Sequence, residues 1–383
     1  MADEHGLDPA LKTSRGRPGV KWASIDGRLA AWVADMDFPI AQPIADRLQA
    51  LAGSDVGYPN WPSLLRSPLP ERFAARMSDR FGWEPAADRL LELADVMQGV
   101  VVAIHHLTAP GDGVVLHVPS YPPFLSAIAA AGRRLIEVPA QLVDGRWGFD
   151  HDELDDRLAR DPARMLLLCH PHNPTGHVFD RVELDRLAEI AMRHDLVVVS
   201  DEIHGELVHP PHRHLPFASL GSEVEARTVT VTSSSKAFNL AGLRWAIAHV
   251  GSAALHSALA ALPDHYFGAP NVMAVAATEA AWQDGDEWQA AVGRQLDANR
   301  VRLVDLLATH LPGVGYSIPD ATYLAWLDCR GLELGDNPAA TFRRRGVELS
   351  PGPRCGPQGQ GFARLNFATG PTLLAQIVEA MAG

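Results

Sequence analysis

The sequence predicts an α/β fold in which a mostly parallel sheet is sandwiched by helices and is followed by a smaller α+β domain. Short apolar runs alternate with amphipathic stretches, which is typical of strands buried on both faces. Alternating strands and helices favour a parallel sheet covered on both sides. The last hundred residues lack this alternation and indicate a second unit. The predicted strands of the first unit are residues 91–96, 114–118, 165–169, 196–199 and 228–232.

The helical pattern over residues 182–193 contains the face that would cover this sheet. Leu184, Leu187, Ala188 and Ala191 recur at positions i, i+3, i+4 and i+7. This spacing places the four side chains on one side of a helix. We therefore expect the helix to pack against the sheet through these residues.

The smaller domain is predicted to begin with a long helix over residues 287–310, which Pro312-Gly313 ends. Two strands and two helices follow it, and the first forty residues of the chain contain no long element. We therefore divide the chain into an N-terminal segment at 1–40 that packs on the small domain, a large domain at 41–285 and a small domain at 286–383. The strands are predicted at 322–327 and 363–367, and the helices at 338–345 and 373–381.

The composition of the 383 residues is typical of a globular protein, with 47% hydrophobic and 21% charged residues. The formal net charge of −13 argues against nucleic acid or an anionic membrane as a partner. No apolar run approaches the ~18 residues of a membrane span, and the acidic N-terminus lacks a signal-peptide pattern. Three scattered cysteines, at positions 169, 329 and 355, are typical of a reducing compartment. We therefore expect a cytoplasmic protein.

A candidate catalytic lysine, Lys236, follows the predicted strand 228–232 after a run of hydroxyl residues. A lysine in a cleft can lose its proton and form an imine with a carbonyl compound. A phosphate group on that compound would be bound by the Ser233 hydroxyl and by the guanidinium fork of Arg244. Taken alone, this segment is also compatible with a polar loop and a solvated lysine.

Other strand ends carry residues that strengthen the catalytic interpretation. Asp201 follows one strand and could pair with a pyridinium nitrogen, while Asn173 follows another and could donate to a phenolic oxygen. Tyr121 could stack on a flat ring, and the helix expected to open at 98–101 offers backbone amides to a phosphate. Ligands of open α/β sheets bind at this edge. Each signal is weak alone, and together they favour one site.

These motifs resemble those of the fold-type I pyridoxal 5'-phosphate (PLP) enzymes, the aspartate aminotransferase superfamily. More narrowly, the chain resembles the MalY–PatB branch, the cystathionine β-lyase-like carbon–sulfur lyases. The resemblance runs from Trp32-Val33-Ala34-Asp35-Met36-Asp37-Phe38 to the segment 361–368, and includes Asn-Pro-Thr-Gly at 173–176 and Asp-Glu-Ile-His at 201–204. It implies PLP fold type I, with a sheet of seven strands, and PLP as the cofactor.

The resemblance also implies roles for single residues around the PLP ring. Lys236 matches the Schiff-base lysine, and Asp201 matches the partner of the pyridine nitrogen. Asn173 matches the donor to the phenolic oxygen, and Tyr121 matches the aromatic residue that stacks on the ring. Tyr121 and Asn173 are also expected to contact the substrate.

Further matches concern the phosphate and the substrate carboxylate. Gly99, Val100, Val101, Ser233 and Arg244 match the residues that surround the phosphate.

Arg364 matches the arginine that binds the substrate α-carboxylate, for which a planar guanidinium is suited. Tyr58 matches a tyrosine that reaches the phosphate of the neighbouring subunit, which implies a homodimer.

One position distinguishes the branches of the superfamily. Aminotransferases usually carry Tyr three residues after the ring aspartate, whereas this chain has His204, as the lyase branch does. The predicted activity is therefore α,β-elimination of an amino acid with a β-thioether to pyruvate, ammonia and a thiol. The alternatives are an aminotransferase of class I/II and a regulatory protein that keeps the fold. His170 and the loop 350–356 depart from the lyase pattern, which leaves the sulfur leaving group open.

A metal site was considered because the chain has seventeen histidines. His209, His212 and His214 lie in a proline-broken segment that we interpret as a surface loop, without the Cys/His spacing of a zinc site. We therefore predict no metal. No Gly-x-Gly-x-x-Gly follows a strand, so a dinucleotide site is not predicted either.

Overall fold

The computed structural model describes residues 5–61, 63, 66–263 and 266–383. Within them, two sheets are covered by helices, and the larger sheet has eight strands in the order β2-β9-β8-β7-β6-β3-β4-β5. Its strands are β2 (Leu90–Leu93), β3 (Gly113–Val118), β4 (Arg134–Val143), β5 (Arg146–Phe149), β6 (Met165–Cys169), β7 (Val197–Asp201), β8 (Thr228–Thr232) and β9 (Ala246–Val250).

The mostly parallel sheet predicted from the sequence is confirmed. Strands β4, β3, β6, β7 and β8 pair in parallel, and the fully buried residues of β6 match its apolar sequence. Strand β9 is antiparallel to β8, and β2 is antiparallel to β9. The sheet exceeds the expected seven strands because β5 turns back on β4 through Asp144 and Gly145, which both have positive φ.

Helices cover both faces of the sheet and form most of the remaining structure. They are α1 (Leu11–Arg15), α2 (Val20–Ala23), α3 (Gln42–Ala52), α4 (Leu69–Phe81), α5 (Val96–Leu107), α6 (Pro122–Ala130), α7 (His151–Leu158), α8 (Arg181–Arg193), α9 (Ser222–Glu225), α10 (Ala253–Ala260), α11 (Val272–Asp284), α12 (Asp286–His310), α13 (Pro338–Arg344) and α14 (Pro371–Ala382). None of the helices in these ranges is long and apolar enough to cross a membrane.

Helix α8 has the buried face that its sequence predicts. Leu184, Leu187, Ala188 and Ala191 are buried against the sheet. Asp180 caps the helix together with Glu183 in a capping box, which explains why the helix begins one residue earlier than predicted.

The smaller sheet joins the two ends of the chain. Its order is β1-β12-β13-β11-β10, with strands β1 (Leu29–Ala31), β10 (Gly315–Tyr316), β11 (Leu324–Asp328), β12 (Val347–Pro351) and β13 (Phe362–Asn366). Strand β1 pairs with β12 in parallel, so the N-terminal segment lies beside the C-terminal strands. The exact domain boundaries at 41 and 286 stay a prediction.

The histidine-rich segment after β7 is not the surface loop that the sequence suggested. His209 is buried and bonds to the Thr322 carbonyl at 2.7 Å, and His214 is buried against Glu202 at 2.9 Å. The loop can fold inwards because these carbonyl and carboxylate oxygens each pair with the Nε2 atom of one imidazole. Within the described ranges, no group of three His, Cys, Asp or Glu side chains could hold a metal ion.

Candidate active site

A cavity of about 300 Å³ lies at the carboxyl ends of β6, β7 and β8, where the sequence analysis placed the site. The N-terminal end of α5 and the carbonyl-bearing segment around Ala34 close its sides. The cavity is lined by Ala34, Asp95, Val96, Met97, Tyr121, Phe124, Cys169, Asn173, Asp201, Ile203, His204, Ser233, Ser235, Lys236, Ala241, Arg244 and Trp245. Seven of the predicted site residues therefore meet in one cavity.

Lys236 lies in the wall of this cavity, just after β8. Its Nζ donates to the carbonyl oxygen of Ala34 at 2.8 Å. Burial lowers the pKa of the amine, although the nearby carboxylates of Asp35 and Asp201 oppose this shift. The chain contains only two other lysines, Lys12 and Lys21. Burial also lowers the pKa of Lys21, but that side chain forms an ion pair with Asp37 at 3.0 Å, and of the three lysines Lys236 alone lines this cavity.

Asp201 ends β7 and is buried in the cavity floor. One of its oxygens accepts from the Ile203 amide at 3.0 Å, and burial raises the pKa of the carboxyl to about 7. A cationic ring nitrogen beside it would favour the carboxylate. His204 is also buried, and burial lowers the pKa of its imidazole to about 3, so the ring is neutral. Its Nδ1 is buried without a hydrogen-bond partner.

Arg364 lies on β13, behind the cavity wall, and fixes the orientation of Asn173, which lines the cavity. Arg364 Nη1 donates to Asn173 Oδ1 at 2.9 Å, which leaves the Asn173 amide nitrogen as a donor. Arg364 Nη2 donates to Ser350 Oγ at 3.2 Å and to the Trp32 carbonyl at 3.3 Å. The Nε of Arg364 is buried and has no partner. The guanidinium is thus held in place and keeps a donor for an anion.

The phosphate side of the cavity contains a carboxylate that the sequence analysis missed. Asp95 pairs with Arg244 and also caps α5 by accepting from the Gln98 amide at 2.8 Å. Ser233 lies beside them, where its Oγ donates to the Trp245 carbonyl at 2.6 Å and accepts from the Ser235 amide at 3.0 Å. Asp95 is an ordinary helix cap by residue type, so nothing in the sequence around it indicates that it would face Arg244.

The amides expected to bind phosphate are placed differently from the prediction. Because Asp95 caps α5, the helix starts at Val96, and the Gly99 amide already bonds to the Asp95 carbonyl. Gly99 faces β8, where an added Cβ would lie 3.0 Å from Val231 Cγ1, and Val100 and Val101 lie further along α5. The amides at the open end of α5 are those of Val96 and Met97, which line the cavity.

Two aromatic residues complete the comparison with the sequence. Tyr121 lines the cavity and meets Phe124 edge-on at 5.4 Å between ring centroids. Tyr58 lies outside the cavity, between α3 and α4, and is 93% exposed. It has the exposure that a contact with a second subunit requires, but its predicted role stays a prediction.

The residues present fit PLP. The cavity offers an amine, a buried carboxylate for a ring nitrogen, a free amide donor and a half-buried aromatic ring. Arg244, Ser233 and the open end of α5 would hold the phosphate. The unpartnered buried atoms His204 Nδ1 and Arg364 Nε mark two polar positions that a bound molecule would satisfy.

Comparisons with known proteins agree with this site. Cystathionine beta-lyase PatB of Bacillus subtilis (strain 168) is 32% identical over 361 residues, which cover 92% of each chain. The crystal structure of OvoB is 35% identical, with a TM-score of 0.89 over 96% of each chain. Cystalysin from Treponema denticola, whose crystal structure contains a pyridoxal 5'-phosphate cofactor, is 26% identical, with a TM-score of 0.89 over 96% of each chain. The family described as aminotransferase class I and II matches residues 71–381, and the chain belongs to this family.

Proposed function

We propose that the protein is a PLP-dependent carbon–sulfur β-lyase. It eliminates the thiol from an amino acid with a β-thioether, such as a cysteine S-conjugate or cystathionine. With cystine, whose Cβ carries a disulfide instead of a thioether, the same bond cleavage would release a persulfide. The observation that carries this proposal is the convergence of Lys236, Asp201 and the Arg364–Asn173 pair on one cavity. His204, at a position where aminotransferases of the superfamily usually have tyrosine, favours elimination over transamination.

The cofactor would be attached at Lys236, with Asp201 at its ring nitrogen and Asn173 donating to its phenolic oxygen. Tyr121 would stack on the ring, and Ser233 and Arg244 would bind the phosphate. When bound, PLP supplies an electron sink for the electron pair of the substrate Cα–H bond.

The substrate carboxylate would be bound by Arg364, whose guanidinium is already oriented by Asn173 and Ser350. This contact fixes the amino acid so that its Cα–H bond points towards Lys236. The Lys236 amine removes the Cα proton, and its lowered pKa increases the neutral fraction that can do so.

The Cβ–S bond then breaks, and its electron pair leaves on sulfur as a thiolate. Thiols have a pKa of about 8.5, against about 15.7 for water, so sulfur is a much better leaving group than a hydroxyl. One water enters the overall reaction, and the products are pyruvate, ammonium and the thiol.

The test is a panel of S-substituted cysteines, small and bulky, with pyruvate and thiol measured together. Equal amounts of both products support the proposal. Lys236→Ala should abolish the reaction, whereas Lys12→Ala, which removes an exposed lysine, should not change it. A keto acid that forms only when an acceptor keto acid is added, without thiol, would identify an aminotransferase. No product of either kind would favour the regulatory alternative.

The site of cofactor attachment can be mapped directly. Borohydride reduction of the yellow protein, followed by peptide mapping, should find the pyridoxyl group on Lys236. With only three lysines in the chain, the competing positions are Lys12 and Lys21. A reduced group on either of them would contradict the assignment.

The proposal includes a homodimer in which Tyr58 reaches the phosphate of the partner. The 93% exposure of Tyr58 supports such a contact. Light scattering should give twice the chain mass of 41.4 kDa, and Tyr58→Phe should weaken PLP binding. A fully active monomer would count against this assembly. A cytoplasmic location also belongs to the proposal, because free cysteines persist in a reducing compartment.

A further inference from the structure

Tyr323 is a buried residue near the cavity for which the proposed function has no role. It lies immediately before β11 and is 1% exposed. Thr322, its neighbour, has φ of +72°, which is unusual for a β-branched residue. The Thr322 amide donates to the Leu207 carbonyl at 2.8 Å, and the Phe367 amide donates to the Tyr323 carbonyl at 2.9 Å. The backbone on both sides of the phenol is therefore fixed.

The Tyr323 hydroxyl and the Lys236 amine share one acceptor. Tyr323 Oη donates to the Ala34 carbonyl oxygen at 2.9 Å, and Lys236 Nζ donates to the same oxygen at 2.8 Å. A carbonyl oxygen has two lone pairs, so these two donors saturate it. Burial raises the pKa of the Tyr323 phenol well above its usual value, so the hydroxyl stays a donor at every working pH.

The direction of the Ala34 carbonyl is itself fixed. The segment 33–35 runs across the cavity, and Asn366 Nδ2 holds both the Val33 and the Asp35 carbonyls at 2.6 Å. The Ala34 carbonyl lies between these two anchored groups, which restrict its rotation away from Lys236. The Tyr323 ring also packs edge-on against His204, with 6.1 Å between the centroids.

We propose that Tyr323 is a positioning residue for Lys236. Its hydroxyl acts by occupying one of the two lone pairs of the Ala34 carbonyl oxygen. One N–H of the free Lys236 amine then donates to this oxygen, and the lone pair of the amine nitrogen is directed towards the cavity. Because the phenol shares the oxygen, the carbonyl stabilises an ammonium less strongly than it would alone. Tyr323 thus favours the neutral amine. This inference rests on the proposed function in one respect only, namely that the free Lys236 amine removes the Cα proton of the substrate.

Other groups also act on the Lys236 amine and remain unchanged in the test. They are Asp35 of the same segment, Asp201 at the end of β7, Arg364 on β13 and the neutral His204. The two carboxylates favour the ammonium, whereas burial and the guanidinium favour the neutral amine.

The test variant is Tyr323→Phe, which removes only the hydroxyl and leaves the Ala34 carbonyl paired with Lys236. The matched control is Tyr316→Phe, because Tyr316 Oη also donates to a backbone carbonyl, that of Arg300 at 3.1 Å. In the holoenzyme, Tyr323→Phe should lower kcat about threefold near neutral pH with little change in KM. It should also move the acid limb of the kcat profile up by about half a pH unit. The control should change neither.

A second readout does not depend on activity. The full chain freed of cofactor is labelled at a series of pH values with an amine-directed reagent, and peptides are mapped. Lys12, which is exposed, serves as the reference in every digest. Lys236 should titrate about half a pH unit higher in Tyr323→Phe than in Tyr316→Phe.

An equal Lys236 titration in Tyr323→Phe and Tyr316→Phe would overturn the inference. If the enzyme transaminates instead, the labelling shift is still expected, because it concerns the amine alone. Failure of the proposed reaction and failure of this inference are therefore distinguishable.

Discussion

The pairing of Asp95 with Arg244 predicts that the chain binds PLP less tightly than its phosphate-binding groups would allow. Asp95 neutralises the guanidinium that the cofactor phosphate would use, and it places a negative charge beside that phosphate. The perturbation is Asp95→Asn, which removes the charge. Asparagine keeps the side-chain oxygen that caps α5 through the Gln98 amide, so the helix should still begin at Val96.

The expected magnitude follows from the exposure of the two side chains. Arg244 is 66% exposed and Asp95 28%, so the ion pair is largely screened by solvent. Pairs of this kind contribute about 0.2–1 kcal/mol. Releasing Arg244 should therefore tighten PLP binding about 1.5- to 5-fold. Added salt should reduce the difference between the two proteins, because it screens exposed charges.

The assay is a PLP titration of the cofactor-free chain, followed by tryptophan fluorescence, since Trp245 lines the cavity. Asp150→Asn is the matched control, because Asp150 caps α7 by accepting from the Glu153 amide at 2.9 Å and does not line the cavity. Unchanged or weaker PLP binding in Asp95→Asn, relative to Asp150→Asn, would refute the reasoning.

Three further predictions concern stability and substrate binding. Gly99→Ala should destabilise the fold by about 1–3 kcal/mol in urea unfolding, because the new Cβ would lie 2.8 Å from Leu93 Cδ1; an unchanged midpoint would contradict this. Arg364→Lys should raise KM about 10- to 100-fold, since an ammonium cannot replace the oriented fork; an equal KM would argue against carboxylate binding there. Burial lowers the pKa of His172 to about 3 and that of His151 to about 4. Above pH 6.5 both histidines are neutral in the folded and the unfolded state, so their titration does not lower the free energy of unfolding. Below pH 6.5 only the unfolded state binds the proton, so each histidine should lower the free energy of unfolding by about 1.4 kcal/mol per pH unit until its folded pKa is reached. Equal urea midpoints at pH 7 and pH 5 would refute this.

The sequence was sufficient for some of the buried strands, but it missed β9, whose five residues are all buried. Residues 165–169 and 228–232 coincide with β6 and β8, because a short continuous run of apolar or β-branched residues is typical of a buried strand. The edge hairpin formed by β4 and β5 was missed, although Asp144-Gly145 is a typical hairpin turn, since its strands are half-exposed and lack a continuous apolar run.

The candidate site could be predicted only where a residue's chemistry is unusual for its position. Lys236, Asp201 and Asn173 are polar groups at strand ends, and the cavity contains all three. Asp95 and Tyr323 could not be found in this way. A capping aspartate and a buried aromatic are both common, and their contacts with Arg244 and Ala34 depend on tertiary structure.

The segment 32–35 has a consequence for the order in which the protein folds. Most side-chain donors to its carbonyls lie 202 to 333 positions away in the chain, from Lys236 to Asn366, and Lys21 is a nearby exception. Contacts between residues so distant form late, because long loops must close first. During synthesis, the large sheet can form before β13 has been synthesised, so the N-terminal segment cannot yet contact β13. The Lys236 amine would therefore obtain its fixed acceptor only after almost the whole chain has left the ribosome.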